Sequence, residues 1–175
     1  MKTFLATFLA TFVVLMTIHM YSCRKSVYES KNNLKTDTLI VYTEPNFAST
    51  LFRVDSIGQE EPTKDNIYEL FRIIGMQQKD IVYAQMRLES GNFKSNIAKK
   101  NNNMFGMTHP VQRANTSMGK KNGYATYKNW AYSVLDYRLW QEKYAYCLDE
   151  EMYLRMLSVY ASDKHYVEKL KRIMK

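Results

Sequence analysis

Gln78-Lys-Asp-Ile-Val-Tyr-Ala-Gln-Met-Arg-Leu-Glu-Ser-Gly91 is the stretch on which the fold turns. Ile81, Ala84, Gln85 and Leu88 recur at helical spacing, and Ser90-Gly91 stops the run. The pattern predicts an amphipathic helix from about Gln78 to Glu89 that ends in a carboxylate. Matching signals lie on both sides. Thr63 reads as the N-cap of a helix from Lys64 to about Ile74, with Ile67, Leu70, Phe71 and Ile74 on one face and Gly75 ending it. A short helix is expected near Ser95 to Lys100. Asn129 caps a helix from Trp130 to about Tyr144, with Val134, Leu135 and Leu139 inward. Asp149 caps another, which carries Met152, Leu154 and Leu157. Asp163 caps the last, with Val167, Leu170 and Ile173. Residues 101–127 are rich in Asn, Gly and Lys and read as loops with a short hairpin around Gly119–Gly123. The expected fold class is therefore mainly α. It is a compact helical domain over residues 62–175, with one irregular lobe inserted after the second helix.

The remaining residues read as an appendage to that domain. The chain has 175 residues, 46% hydrophobic and 24% charged, which suits one globular domain and excludes a disordered chain. Residues 1–23 hold Lys2, an apolar run from Phe4 to Ile18, and Cys23. About 15 apolar residues suit a signal-peptide core better than a full membrane span, which needs roughly 20. Met20-Tyr21-Ser22-Cys23 resembles a loose lipobox. By that resemblance Cys23 is lipidated after cleavage and tethers an exported protein to the membrane; an uncleaved anchor is the alternative. The other cysteine, Cys147, is then read as an unpaired structural thiol. Residues 24–61 read as a tether. Thr38–Thr43 is β-prone and Leu51–Ile57 alternates weakly, so a small hairpin is expected there.

Lys and Arg number 25 against 17 Asp and Glu, a formal net charge of +8. The whole excess falls after Glu61, where 19 basic side chains face 11 acidic ones. From Ser90 to Leu135 there is no acid at all, while Lys94, Lys99, Lys100, Arg113, Lys120, Lys121 and Lys128 all lie there. Such a stretch is either a solvated basic surface or a groove for an anionic ligand.

Glu89 is the residue most suited to chemistry. The negative end of the helix dipole disfavours a charged carboxylate at that position. Leu88 and Phe93 are placed to desolvate it. Both effects favour the neutral acid, as a general acid working near neutral pH requires. The neighbouring cations favour the carboxylate, and burial is expected to outweigh them.

Tyr83-Ala-Gln-Met-Arg-Leu-Glu-Ser-Gly91, followed by Asn102-Asn-Met-Phe-Gly106, resembles the glucosaminidase family, glycoside hydrolase family 73, within the lysozyme-like superfamily. Further matches follow in order: Tyr124-Ala-Thr-Tyr127 with Trp130, Ser133 and Asp136-Tyr137, then Tyr160-Ala-Ser-Asp163 with Tyr166, Lys169-Leu170 and Ile173. The resemblance spans residues 62–175 and implies an α+β lysozyme-like fold. It also implies hydrolysis of the β-1,4 bond after N-acetylglucosamine in peptidoglycan. By that resemblance Glu89 is the general acid and Tyr127 the active-site tyrosine, while Asn103 and Phe105 line a sugar subsite beside Tyr124. Each has a plainer reading, and on position alone Glu89 is more readily an ordinary capping or surface residue. Phe105 is as readily core, Asn103 as readily bonds backbone in a tight turn, and Tyr124, Tyr127 and Trp130 are as readily core aromatics.

Glycosidases usually pair two carboxyl groups across the scissile bond, and the lobe after Glu89 offers none. Three readings stay open. The substrate's 2-acetamido oxygen acts as nucleophile, Asp163 orients a water, or the domain is a glycan-binding module that cuts poorly. No cofactor is expected. His19, His109 and His165 form no metal pattern, and no phosphate loop is present. The expected partners are peptidoglycan glycan strands and, through the amino terminus, a membrane; nucleic acid is not expected, because the aromatics are spaced helically. The chain is expected to act as a monomer in the cell envelope or as a phage-encoded lytic enzyme.

Overall fold

The computed structural model describes residues 47–175. Its elements are α1 (Phe47–Gly58), α2 (Lys64–Ile73), α3 (Lys79–Glu89), α4 (Asn96–Asn101), β1 (Gly119–Lys121), β2 (Tyr124–Thr126), α5 (Trp130–Tyr144), α6 (Glu150–Tyr160) and α7 (Tyr166–Met174). This is the mainly α fold expected, with one small hairpin lobe. No described helix is long and apolar enough to cross a membrane.

Side-chain caps set most of the helix starts. Thr63 accepts from Asn66 N–H, Ser95 from Ala98 N–H, and Asp149 from Met152 N–H. Asn129 serves α5 doubly, accepting from the N–H groups of Ala131 and Tyr132. Each cap satisfies a donor that the first helical turn leaves without a partner, a contribution of about 1 kcal/mol.

Three expectations are corrected. Leu51–Ile57 is helical, not a strand of a hairpin. Val54 is fully buried, with Leu51 and Ile57 half-buried and Phe52 and Arg53 outside. The spacing of 51, 54 and 57 is the helical period, and burial against α5 selects it over the weak alternation. Thr38–Thr43, the other half of that hairpin, lies outside the described residues. The last helix starts at Tyr166, later than an Asp163 cap requires, and no side chain caps it. Asp163 instead accepts from His165 N–H at 2.9 Å and from Lys169 Nζ. Cys147 is disulfide-bonded, not an unpaired thiol. The one other cysteine, Cys23, lies outside the described residues.

The core gathers under α3. Ile67, Leu70 and Phe71 of α2 meet Ile81, Val82 and Met86 of α3, and Tyr153 and Met156 of α6 close the far side with Leu170 of α7. Full burial of each large apolar side chain is worth about 1.5–3 kcal/mol. α3 packs along α7, and α1 packs along α5. The lobe is knitted to this body by asparagines. Asn101 Nδ2 donates to Lys121 O at 3.1 Å, and Asn102 Nδ2 donates to Tyr127 O at 3.0 Å. The hairpin itself pairs antiparallel, with Lys120 opposite Ala125.

Candidate active site

Glu89 is the last residue of α3, and the chain reverses at once behind it. Gly91, Asn92 and Phe93 all have positive φ, +58°, +53° and +67°. For an aromatic residue that is a strained conformation. The turn is held by Ser90, whose Oγ donates to Met86 O and accepts from Phe93 N–H at 2.9 Å. Arg87 Nε adds a bond to Asn92 Oδ1 at 2.9 Å. The turn therefore presents Glu89 at the helix end instead of burying it. Glu89 is exposed, which corrects the expectation that burial would surround it.

A cavity of about 560 Å³ opens at this point, lined by Leu88, Glu89, Leu157, Ala161, Ser162, Asp163, Tyr166 and Lys169. Glu89 Oε1 accepts from the Tyr166 hydroxyl at 2.7 Å. Asp163 and Lys169 form an ion pair at 2.5 Å on the same wall. The Lys169 ammonium, helped by the His165 N–H, holds the Asp163 carboxyl below the usual carboxylate range. Burial, and then the bond to Glu89, push the Tyr166 phenol well above its ordinary value. The cleft thus combines one exposed carboxyl, one carboxylate kept charged and a neutral hydroxyl donor.

The other residues singled out from the sequence lie elsewhere. Tyr127 is 3% exposed and is not among the residues lining the cavity. Its hydroxyl donates to Asp136 Oδ2 at 2.7 Å, and Asp136, fully buried, takes Arg113 at 2.5 and 3.1 Å through both carboxylate oxygens. Burial, then this bond, push the Tyr127 phenol well above its usual range. Asn103 is buried, donating to Met107 O and Ala125 O and accepting from the N–H groups of Phe105 and Met107. Phe105 is buried and stacks on Tyr137 at 4.1 Å between ring centroids. These three residues shape the lobe and the core, which is what their plainer readings describe. Tyr124, on β2, is exposed.

Sequence reasoning passed over Tyr166 and Gln85 as parts of the site. Gln85 carried a signal, being a polar residue on the apolar face of α3. Tyr166 entered only as part of the family match, and its role was hidden because its partner lies 77 positions away in the chain. The basic stretch is where the sequence put it. Lys94, Lys99, Lys100, Lys120 and Lys121 are exposed, and among the described residues none of them forms an ion pair. Lys128 pairs with Asp55 at 2.7 Å.

Residues 64–175 match the glucosaminidase family, described as mannosyl-glycoprotein endo-beta-N-acetylglucosaminidase. Among solved structures, the catalytic domain of the autolysin Auto from Listeria monocytogenes is similar at 16% identity. That overlap covers 86% of this chain and 92% of the other, with a TM-score of 0.41. No curated protein matches the chain by sequence.

Proposed function

The chain belongs to the glucosaminidase family, and from that premise we propose that it hydrolyses the β-1,4 bond after N-acetylglucosamine in peptidoglycan, with Glu89 as general acid. The observation that carries this reading is the placement of Glu89. It is the terminal carboxyl of α3, aimed into an open cleft and gripped through one oxygen by Tyr166. Protonating the leaving glycosidic oxygen requires an acid that substrate can reach, and Glu89 meets that requirement.

The substrate's own 2-acetamido oxygen supplies the nucleophile in this reading, as N-acetylglucosamine permits. A second reading is favoured by one observation: Asp163 lines the same cleft and is held ionised beside Lys169. A charged carboxylate there suits the orientation of an attacking water. Release of reducing sugar from purified peptidoglycan separates the two. Glu89→Gln should abolish release. Asp163→Asn should spare most of it if the substrate assists, and should abolish it if Asp163 directs water. An active Glu89→Gln would end the proposal and favour a glycan-binding module.

The exposed lysines around α4 and the hairpin fit a polymer whose stem peptides carry carboxylates. Action on the envelope as an exported protein belongs to the same proposal. A disulfide at Cys147 suits an oxidising compartment, and recovery of the protein solely from cytosol would remove that part. Lipidation at Cys23 is a separate proposal that competes with the disulfide, because the chain has two cysteines and a lipid would occupy the Cys23 thiol; the intact mass of the mature protein tests it, and an unacylated Cys23 would end it.

A further inference from the structure

One line of buried side chains runs from the backbone at Gln77 to the cleft. Gln141 Oε1 accepts from Gln77 N–H at 3.2 Å, and Gln141 Nε2 donates to Gln77 O at 3.0 Å. Only one placement of oxygen and nitrogen in that amide makes both bonds. The second hydrogen on Nε2 goes to the Tyr153 hydroxyl oxygen at 3.1 Å. The Tyr153 and Tyr137 hydroxyls are 2.7 Å apart, and the Tyr137 hydroxyl lies 2.6 Å from Gln85 Oε1. Burial keeps both phenols protonated, with Tyr153 pushed up to about 12 and Tyr137 well above its usual value. Each hydroxyl therefore has one hydrogen to give. Gln85 Oε1 can only accept, so Tyr137 donates to it and Tyr153 donates to Tyr137. Gln85 then turns Nε2 to the Tyr166 oxygen at 3.3 Å. The Tyr166 hydrogen is left for Glu89 Oε1. Gln85, Tyr137, Tyr153 and Gln141 are 5% exposed or less, so solvent supplies no competing partner.

We propose that this one-way relay positions the general acid: the backbone at Gln77, acting through Gln141, Tyr153, Tyr137 and Gln85, commits Tyr166 to donate to Oε1 of Glu89, so that the acidic proton is carried on Oε2. The inference rests on Glu89 being the acid. In the reaction the Oε2 proton passes to the glycosidic oxygen, and the electron pair of the breaking C–O bond goes to that oxygen. Glu89 is left as a carboxylate that keeps its bond from Tyr166. Gln141 touches neither substrate nor Glu89 and is a positioning residue.

The direction can be reversed from the far end. Gln141→Glu is nearly isosteric, and in either protonation state it presents an acceptor to Tyr153. Tyr153 then donates to it, Tyr137 donates to Tyr153, Gln85 turns its amide, and Tyr166 donates to Gln85. Glu89 loses a donor that favours its charged form. The charged groups that line the cleft with Glu89, the paired Asp163 and Lys169, stay as they are.

A general acid loses activity as pH rises through its titration, so weakening the carboxylate moves the alkaline limb of kcat upward. We expect a shift of about one pH unit in Gln141→Glu, the scale of one lost charge-assisted bond. Adding Tyr153→Phe cuts the path, lets Tyr137 donate to Gln85 again, and should return the limb to its original position. Tyr166→Phe should shift the limb as Gln141→Glu does, and carries the test if Gln141→Glu does not fold. An unmoved limb in either single variant overturns the relay, as does a shift that Tyr153→Phe fails to reverse. The ¹³C shift of the Glu89 carboxyl titrates the same group without turnover. An active Glu89→Gln with shifted titrations defeats only the general-acid reading, whereas unmoved titrations defeat the relay.

Discussion

Asp136 shows what a buried charge demands. It is fully buried, and its partner Arg113 is 7% exposed. The carboxylate takes two guanidinium bonds and the Tyr127 hydroxyl, so none of its charge is left without a partner. Arg113 NH1 also donates to Ala114 O at 2.9 Å. The arginine thereby ties the irregular lobe to α5. Removing one partner strands the other charge, and Arg113→Met should destabilise the protein by about 3–5 kcal/mol. Denaturant unfolding measures this, and a loss under about 1 kcal/mol would contradict it. The double variant Arg113→Met, Asp136→Leu should recover much of the loss, because an apolar pair leaves no buried charge. Asp136 was legible in the sequence as part of the Asp136-Tyr137 family match, and not as a buried charge. Nothing local to it announces an arginine 23 positions earlier. Glu89 was legible because its signal is local, an apolar helix ending before a glycine. Its exposure was not, because three positive-φ residues decide where the helix end points.

Among the elements, α1 and α5 meet most closely where Gly58 faces Asn129. A Cβ placed on Gly58 would lie 2.2 Å from Asn129 Oδ1 and Cγ. That amide is the tip of a side chain, but it is not free to move. Its oxygen caps α5 through Ala131 and Tyr132, and its Nδ2 reaches Asp55 Oδ1 at 3.4 Å. Gly58→Ala should therefore displace the cap and cost about 0.5–2 kcal/mol. A midpoint change in chemical denaturation reads this, and an unchanged midpoint would show that Asn129 repacks without loss. The seam also explains where the sequence misled. α5 carries Trp130, Val134 and Tyr137 inward but also buries Ser133, Asp136 and Gln141. A helix buried on apolar and polar sides alike gives a weak periodic signal. Its cap at Asn129 was the better marker, and it proved correct. For the helix over Phe47–Gly58 the sequence offered a weak alternation, and tertiary burial of Val54 decided it.

At the scale of the molecule, the net charge of +8 is distributed with a purpose. The chain leaves Glu89, turns sharply, and enters a lobe without acids. Ser95 N–H bonds Ser90 O at 2.9 Å, so the lysine-bearing α4 starts within one turn of the candidate acid. Asn101 then brings Lys121 of the hairpin against the end of α4, beside Lys99 and Lys100. The cation-rich lobe and the acid-bearing cleft are successive parts of one path along the chain. Behind the cleft, the buried relay from Gln77 crosses the core and ends on the same carboxylate. We propose that this carboxylate protonates the glycosidic bond after N-acetylglucosamine. Mass spectrometry of muropeptides released from purified peptidoglycan tests it most directly, because the new reducing end identifies the bond. Every new reducing end should be N-acetylglucosamine, and Glu89→Gln should release no products; reducing ends on N-acetylmuramic acid, or products from Glu89→Gln, would contradict the assignment.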